Sequence, residues 1–509
     1  MTTPDWVQDA IFYQIFPDRF ARSDPAVVRR GERMPSLGFE PWDAPPTYNG
    51  FKGGDLYGIA EKLDYLKDLG ITAIYFNPIF ASASNHRYHT YDYYNVDPLL
   101  GGNEALRFLL CEAHKRSIRV VLDGVFNHAS RGFWQFHHVV ENGDGSPYVN
   151  WFHFDPERLK GRRRWGVYPD TGELHALQNG EGSLKAIGYE AWWDLPALPK
   201  FNTNTPAVRE FLLGVAEHWI KFGIDGWRLD VPAEINDDSF WQEFRRRVRA
   251  INPEAYIVGE IWHEAHRWLQ GDQFDAVMNY MVTAALIGFC GGPHVDMDAV
   301  NQAGGDLKSR VHPDMDANWF ANEIDRLTNL YSPEITRSQL NLFDSHDMPR
   351  FLTCVGEDVS ALKLALLFMF SYIGAPCIYY GGEVGLTGRH DPDCRKGFPW
   401  NELTWNHDLL NYTKSVIALR REHPSLRRGS FHRLYSTAGV YAFGRKLGSE
   451  VLVIAMNTND IAKNIEFSIE TLNDNTPAEI VLGKEGKVQR SGEILQLGIP
   501  PRGGMVIRL

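Results

Sequence analysis

"GWRLDV", residues 226 to 231, has the make-up of a buried β-strand except for two charged residues, Arg228 and Asp230, set two apart. Side chains alternate faces along a strand, so Arg228 and Asp230 share one face while Trp227, Leu229 and Val231 take the other. A guanidinium and a carboxylate inside a sheet are costly unless they are paired and hydrogen-bonded. The shared face is therefore either a structural ion pair or a place held for chemistry.

Seven further short runs, apolar and rich in β-branched or aromatic residues, resemble this one: "IFYQIF" (11 to 16), "AIYFNP" (73 to 78), "VVLDGVF" (120 to 126), "YIVGEIW" (256 to 262), "AVMNY" (276 to 280), "LNLFDS" (340 to 345) and "CIYYGGE" (377 to 383). Amphipathic helical stretches precede the second, third and fourth strands: "LYGIAEKLDYLKDLG", "NEALRFLLCEAHKRS" and "TPAVREFLLGVAEHWIKFG". Alternating helices and apolar strands indicate a parallel sheet, and eight strands indicate a closed (β/α)8 barrel, although periodicity alone also permits an open doubly wound sheet.

About a hundred residues separate the third strand from the fourth, too many for one helix and its loops. Residues 128 to 200, rich in Trp, His, Gly and Pro, are expected to form an inserted subdomain over the barrel mouth. From 425 to 509 short strands follow one another across Gly, Asn, Asp and Pro turns without helices, which predicts a C-terminal antiparallel β-sandwich. The expected barrel thus comprises 1 to 127 and 201 to 424.

The net charge of -12, from 64 acidic and 52 basic residues, argues against nucleic acid as a partner. The run "GRRRW" (161 to 165) is expected to be a solvated or salt-bridged loop. No apolar stretch reaches the length of a membrane span, and the N-terminus lacks a basic leader followed by an apolar core, so a cytoplasmic location is expected. The five scattered cysteines, without CxxC spacing, suit buried free thiols in a reducing compartment.

Polar residues at the C-terminal ends of the strands interrupt otherwise apolar runs: Asp123, Asn127, His128, Arg228, Asp230, Glu260, His346, Asp347 and Glu383. Singly, each has an ordinary reading as a cap or an ion pair. Gathered at the end of a barrel where catalytic groups sit, they point to chemistry. Three carboxylates, with neither metal-ligand spacing nor a nucleophile elbow, suit glycoside hydrolysis, which needs one ionised carboxylate and one carboxylic acid about the scissile bond. Arg228 is expected to keep Asp230 ionised by depressing its pKa, whereas Glu260, near Trp262, is expected to hold its proton.

"DGVFNH" (123 to 128), "GWRLDV" (226 to 231), "GEIW" (259 to 262) and "SHD" (345 to 347) resemble, in order and approximate spacing, the four short conserved regions of the α-amylase family of glycoside hydrolases. By that resemblance Asp230 is the nucleophile, Glu260 the acid/base and Asp347 the transition-state stabiliser. His86 and Tyr88 in "NHRYHTYDYY", with Asp123, His128, Arg228 and His346, line the substrate site, Tyr88 as a stacking platform. "LPKFN" (198 to 202) and "DPDCRKGFPW" (391 to 400) resemble the cyclomaltodextrinase, neopullulanase and maltogenic amylase group and add Lys200 and Arg395 to the site, as "GEIW" adds Trp262. That group usually carries an N-terminal β-domain that helps it dimerise. Here "WVQDAIFYQIFPDRF" opens on the first strand, so the domain is expected to be absent and the oligomeric state stays open. Asn127 lies where many amylases place a calcium ligand, so the resemblance leaves a structural calcium open and implies no other cofactor.

The resemblance implies a retaining hydrolase of α-1,4-glucosidic bonds in maltooligosaccharides, cyclodextrins and related glucans such as pullulan or starch, with some transglycosylation. An exo-acting α-glucosidase or a glucan transferase would use the same apparatus. A non-catalytic carbohydrate-binding barrel would usually lack one of the three carboxylates, and all three are present.

Overall fold

The computed structural model describes residues 3–24, 38–160, 168–313, 315–472 and 476–509. The "GRRRW" run lies outside the described residues. All eight expected strands form: β1 (Phe12–Ile15), β2 (Ala73–Phe76), β5 (Arg119–Gly124), β6 (Gly226–Leu229), β7 (Tyr256–Gly259), β8 (Ala276–Val277), β9 (Leu340–Leu342) and β10 (Ala375–Tyr379). Between the second and third of these, β3 (Phe80–Ser82) and β4 (Thr90–Val96) make an antiparallel hairpin.

The barrel strands pair in parallel, in the order β8-β7-β6-β5-β2-β1-β10-β9. The seam between the ends of that order is spanned by a parallel bridge from Met278 to Leu340 and by Asn279 N–H donating to the Leu340 carbonyl at 2.8 Å. A closed parallel barrel therefore replaces the open-sheet alternative.

The helices form where the sequence supplies both a start and a stop. Pro206–Phe222 begins with Pro206, whose missing N–H costs nothing in the first turn, and ends at Gly223, which adopts φ 119°. Its apolar stripe buries Val208, Leu212, Val215 and Trp219 against the barrel. Trp227, on the outer face of β6, meets Phe126 and Phe80 edge-on or tilted, as strand alternation requires.

Residues 128–200 contain short helices at Trp134–Asn142, Pro156–Lys160, Thr171–Gln178 and Ser183–Ile187. Isolated bridges pair His128 with Lys200 and Ala191 with Pro199 within the insertion, and Phe152 with Phe201 where the chain returns to the barrel.

The C-terminal strands are β11 (Ser430–Thr437), β12 (Val440–Leu447), β13 (Glu450–Asn457), β14 (Lys463–Ser468), β15 (Glu479–Leu482), β16 (Lys487–Ser491), β17 (Ile494–Ile499) and β18 (Gly504–Arg508). They form a five-stranded sheet, β11-β12-β13-β18-β15, and a three-stranded one, β14-β17-β16. Alternation divides the five-stranded sheet between two cores. Val440, Ala442, Val453 and Ile507 pack with Phe467, Leu495 and Leu497 of the second sheet, whereas Tyr441, Phe443, Ile454 and Val506 belong to the barrel's core.

At that junction Arg420 and Arg445 are fully buried. Their acceptors are backbone carbonyls: Arg420 donates to those of Phe370, Tyr372, Gly374 and Leu426, and Arg445 to those of Ser371, Leu426 and Gly429. All five cysteines are free; four are buried, but Cys111 is exposed, against the expectation that all would be. It sits on the solvent side of helix Gly102–Lys115, whose buried stripe is Ala105, Leu106, Leu109, Leu110 and Ala113.

Candidate active site

Arg228 is the hub of a buried cluster. Its register partner across the sheet is Asp123, and its Nη1 donates to both Asp123 oxygens at 2.9 Å and to Asp230 Oδ1 at 3.1 Å. Its Nη2 lies 2.8 Å from Glu260 Oε1. The other Glu260 oxygen accepts from the Val231 amide at 3.2 Å. One guanidinium thus holds three carboxyl groups that arrive from β5, β6 and the end of β7.

Arg228 does lower the pKa of Asp230, as expected, but it does not leave that pKa depressed overall. Burial pushes Asp230 well above the usual carboxylate range, and the negative charges of Glu260, Asp123 and Asp347 push the same way; Arg228 pulls it back only in part. Glu260 is raised by burial and by Asp347, against the pull of Arg228. Asp123 is also raised by burial, against Arg228, Tyr88 and Tyr75. A single positive charge does not offset the desolvation of three neighbouring carboxyl groups, so these groups bind protons more tightly than isolated carboxyls do.

Asp347 behaves in the opposite way. Burial raises its pKa, but His346 and Arg395 outweigh that and hold it below the usual range, with Arg228 adding to the pull. Asp347 Oδ2 lies 2.9 Å from His346 Nε2, and Oδ1 accepts from Arg395 Nη2 at 3.2 Å. Arg395 Nε also donates to the His346 carbonyl at 2.9 Å, so it braces the whole turn. A third of the Asp347 side chain is exposed, which leaves it facing the cleft.

Tyr88 joins the two halves. Its hydroxyl donates to Asp123 Oδ2 at 2.7 Å and lies 2.7 Å from His346 Nε2, and the two rings lie nearly parallel with centroids 5.4 Å apart. His86 packs against Tyr88, with centroids 5.7 Å apart, and its Nδ1 accepts from the Tyr88 amide. Burial holds the His86 pKa well below its ordinary value.

On the insertion's side, His128 is stacked on Trp192 at 5.2 Å, and Trp192 on the exposed Trp193 at 4.7 Å. Burial pushes the His128 pKa down to about 3, so its ring is neutral at physiological pH. Lys200 is half-buried and lies 3.3 Å from Glu190 and 3.6 Å from Glu234, the latter four residues beyond Asp230. Trp262, two residues past Glu260, stacks on Tyr280 at 3.5 Å between centroids.

The structure therefore brings His86, Tyr88, Asp123, Arg228, Asp230, Glu260, His346, Asp347 and Arg395 into one connected network, with His128, Lys200 and Trp262 on flanking segments. Glu383 is not part of it. Its Oε1 accepts from the hydroxyls of Tyr13 and Tyr65, each at 2.7 Å. Tyr13 is on the opposite face of β1 from Gln14, which bonds His346 Nδ1 at 3.0 Å inside the barrel. Asp123 is completely buried and serves as the floor under Arg228 and Tyr88.

Sequence reasoning missed several members of this floor. Gln14 links Asn77 to His346, Asn77 donates to Tyr88, Tyr75 donates to Asp123 at 3.2 Å, and the Tyr280 hydroxyl meets Ser345. Strand parity was the available signal, because Gln14 and Tyr75 are register partners on neighbouring strands.

Calcium takes six to eight oxygen ligands. Asn127 Oδ1 is one buried oxygen without a donor, and among the described residues no three His, Cys, Asp or Glu side chains gather to hold a metal.

The model of the α-amylase catalytic domain matches residues 14–423. The chain is 41% identical over 471 residues to a cyclomaltodextrinase from Geobacillus thermopakistaniensis, covering 92% of this chain and 72% of that one. It is 38% identical to neopullulanase 2 of Thermoactinomyces vulgaris, covering 99% and 78%. The native form of the Nostoc punctiforme debranching enzyme superposes with a TM-score of 0.87 at 45% identity, covering all of both chains. With the family's domain spanning the barrel and its insertion, the chain belongs to the α-amylase family of glycoside hydrolases.

Proposed function

We propose that the protein is a retaining hydrolase that cleaves α-1,4-glucosidic bonds of maltooligosaccharides and cyclodextrins, and of pullulan or starch, with some transglycosylation. The observation that carries this reading is the bridging of Asp230 and Glu260 by the two ends of one guanidinium. Two carboxyl groups within reach of one guanidinium are compatible with the separation of about 5 to 5.5 Å that direct attack on the sugar uses.

In this reading Asp230 attacks the anomeric carbon as Glu260 gives its proton to the departing glycosidic oxygen. Glu260, now ionised, then removes a proton from water or from a sugar hydroxyl, which displaces Asp230. Burial and Asp347 raise the Glu260 pKa, which favours the protonated form that the first step needs. Asp347, held ionised by His346 and Arg395, accepts hydroxyls of the distorted sugar. Tyr88 provides a platform beneath that ring, and Lys200, Trp262 and His128 belong to the walls. The five unpaired cysteines favour a cytoplasmic, reducing location.

A second reading, cleavage of α-1,6 links, is favoured by the full-length similarity to the Nostoc debranching enzyme. Incubation with β-cyclodextrin, soluble starch, pullulan, maltotriose and isomaltose, followed by separation of products, tests both. Cleavage of β-cyclodextrin and maltotriose supports the α-1,4 reading. Cleavage of isomaltose alone, or release only of maltotriose from pullulan, overturns it in favour of α-1,6 action.

A further inference from the structure

Helix Tyr280–Leu286 starts at the Asp230 cluster and runs away from it, and a pocket of about 260 Å³ lies along its far side, beneath helix Ala317–Thr328. Ala284 and Ala285 supply the floor; their small side chains leave the space open. Trp319, 41% exposed, makes one wall, and His312 meets its ring edge-on at 5.3 Å. Arg310 and Ser309 line the facing wall.

The polar groups here are placed before any ligand arrives. Arg326 is clamped by Glu323 at 2.7 Å and by Glu264 at 2.6 Å, so these planar groups are already oriented. Arg310 Nε is buried and donates to nothing among the described residues, and its guanidinium lies 3.6 Å from the Asp306 carboxylate. A buried donor without an acceptor is costly, and a ligand hydroxyl or ring oxygen would satisfy it. A partly exposed indole beside fixed donors and acceptors of both signs matches a sugar ring, whose C–H face packs on an aromatic while its hydroxyls take the polar groups. The volume, a little under the roughly 300 Å³ at the low end of ligand sites, suits one ring.

Two segments tie this pocket to the catalytic cluster. Tyr280 begins the helix that floors the pocket and stacks on Trp262. The segment that supplies Ser309 and Arg310 also carries Gly305, which has φ 56° and lies so close to Trp262 that a Cβ there would come within 2.6 Å of the indole. The segment that lines the pocket therefore also packs on Trp262 beside the cluster.

We propose that this pocket is a second carbohydrate-binding site, which takes a glucosyl residue of an α-glucan while another part of the same chain occupies the Asp230 cluster. The proposal rests on the glucan reading of the cluster. It gives the protein a hold on long chains that short substrates do not use.

The test compares wild type, Trp319→Ala and Arg310→Ala, each as the full chain, in native gels containing soluble starch and in maltotriose hydrolysis. The expected result is that both variants lose retardation in starch gels by roughly twofold to tenfold in apparent affinity, the range of one aromatic contact. Their kcat/KM on maltotriose stays within about twofold of wild type, while KM on starch rises at unchanged kcat. Trp319→Phe keeps the aromatic face and restores retardation if the Ala variant folds poorly. Retardation equal to wild type in both Ala variants, or a wild type that starch does not retard, overturns the proposal. Failure of wild type to hydrolyse any of the glucans would instead overturn the functional reading, and the gels would still report on the pocket.

Discussion

The amide of Val231 donates to Glu260 Oε2 at 3.2 Å from a backbone turned left-handed, with φ 35° and ψ 50°. A β-branched residue in that region is a marked outlier, and such conformations cost of the order of 1–3 kcal/mol. The strain lies one residue after Asp230. It turns the chain so that the segment bearing one carboxylate also steadies the other.

Val231→Gly tests this relationship. Glycine adopts φ 35° freely and keeps the amide, so the variant should fold with unchanged or higher Tm and retain the wild-type pH profile, with kcat reduced less than about tenfold. A displaced alkaline limb would show that the valine side chain, rather than its N–H, positions Glu260.

Asp230→Asn should lower kcat by several orders of magnitude, as expected for loss of a nucleophile, with an unchanged circular dichroism spectrum. The amide is nearly the size of the carboxylate and still reaches Arg228. Turnover near the wild-type rate would exclude covalent attack by Asp230.

Asp347 raises the pKa of both Asp230 and Glu260. Activity requires Asp230 ionised, so it falls as pH drops through that pKa; it requires Glu260 protonated, so it falls as pH rises through the other. Removing the charge in Asp347→Asn lowers both values. The residual kcat/KM profile should therefore move as a whole to lower pH, and a shift to higher pH would contradict the electrostatic coupling.

At the other side of β5, His114 Nε2 lies 2.8 Å from Asp225 Oδ2, and that bond raises the His114 pKa against the effect of burial. Its stabilisation is fully present below the unfolded value of about 6.5 and disappears as pH rises through the higher folded value. Because His114 is 42% exposed, the contribution stays below about 1 kcal/mol. His114→Ala should lower Tm at pH 5.5 and leave it nearly unchanged at pH 9; an equal loss at both would assign the effect to packing.

The barrel was legible because its inward charges interrupt apolar runs: Asp123 and Arg228 stand out from "VVLDG" and "GWRLD" and prove to be register partners. Tyr75 and Gln14 did not stand out, since a tyrosine or glutamine in a strand reads as packing until its partner, distant in sequence, is known. Glu383 was misplaced for a related reason. It lies in the short turn Gly382–Val384 beyond β10, where strand alternation no longer dictates direction, and it faces the Tyr13 and Tyr65 hydroxyls. The balance of charge around Arg228 could not be read at all, because it depends on how many carboxylates share one cation.

Arg420 and Arg445 have a consequence for the joint between the barrel and the terminal sheets. Their positive charges are coordinated by carbonyl dipoles in the interior, much as an ionophore coordinates a metal cation, and dissolved ions do not reach that interior to screen them. Those buried bonds are accordingly insulated from ionic strength, unlike the partly exposed ion pair of Arg433 with Asp325 at 3.2 Å that crosses the same joint.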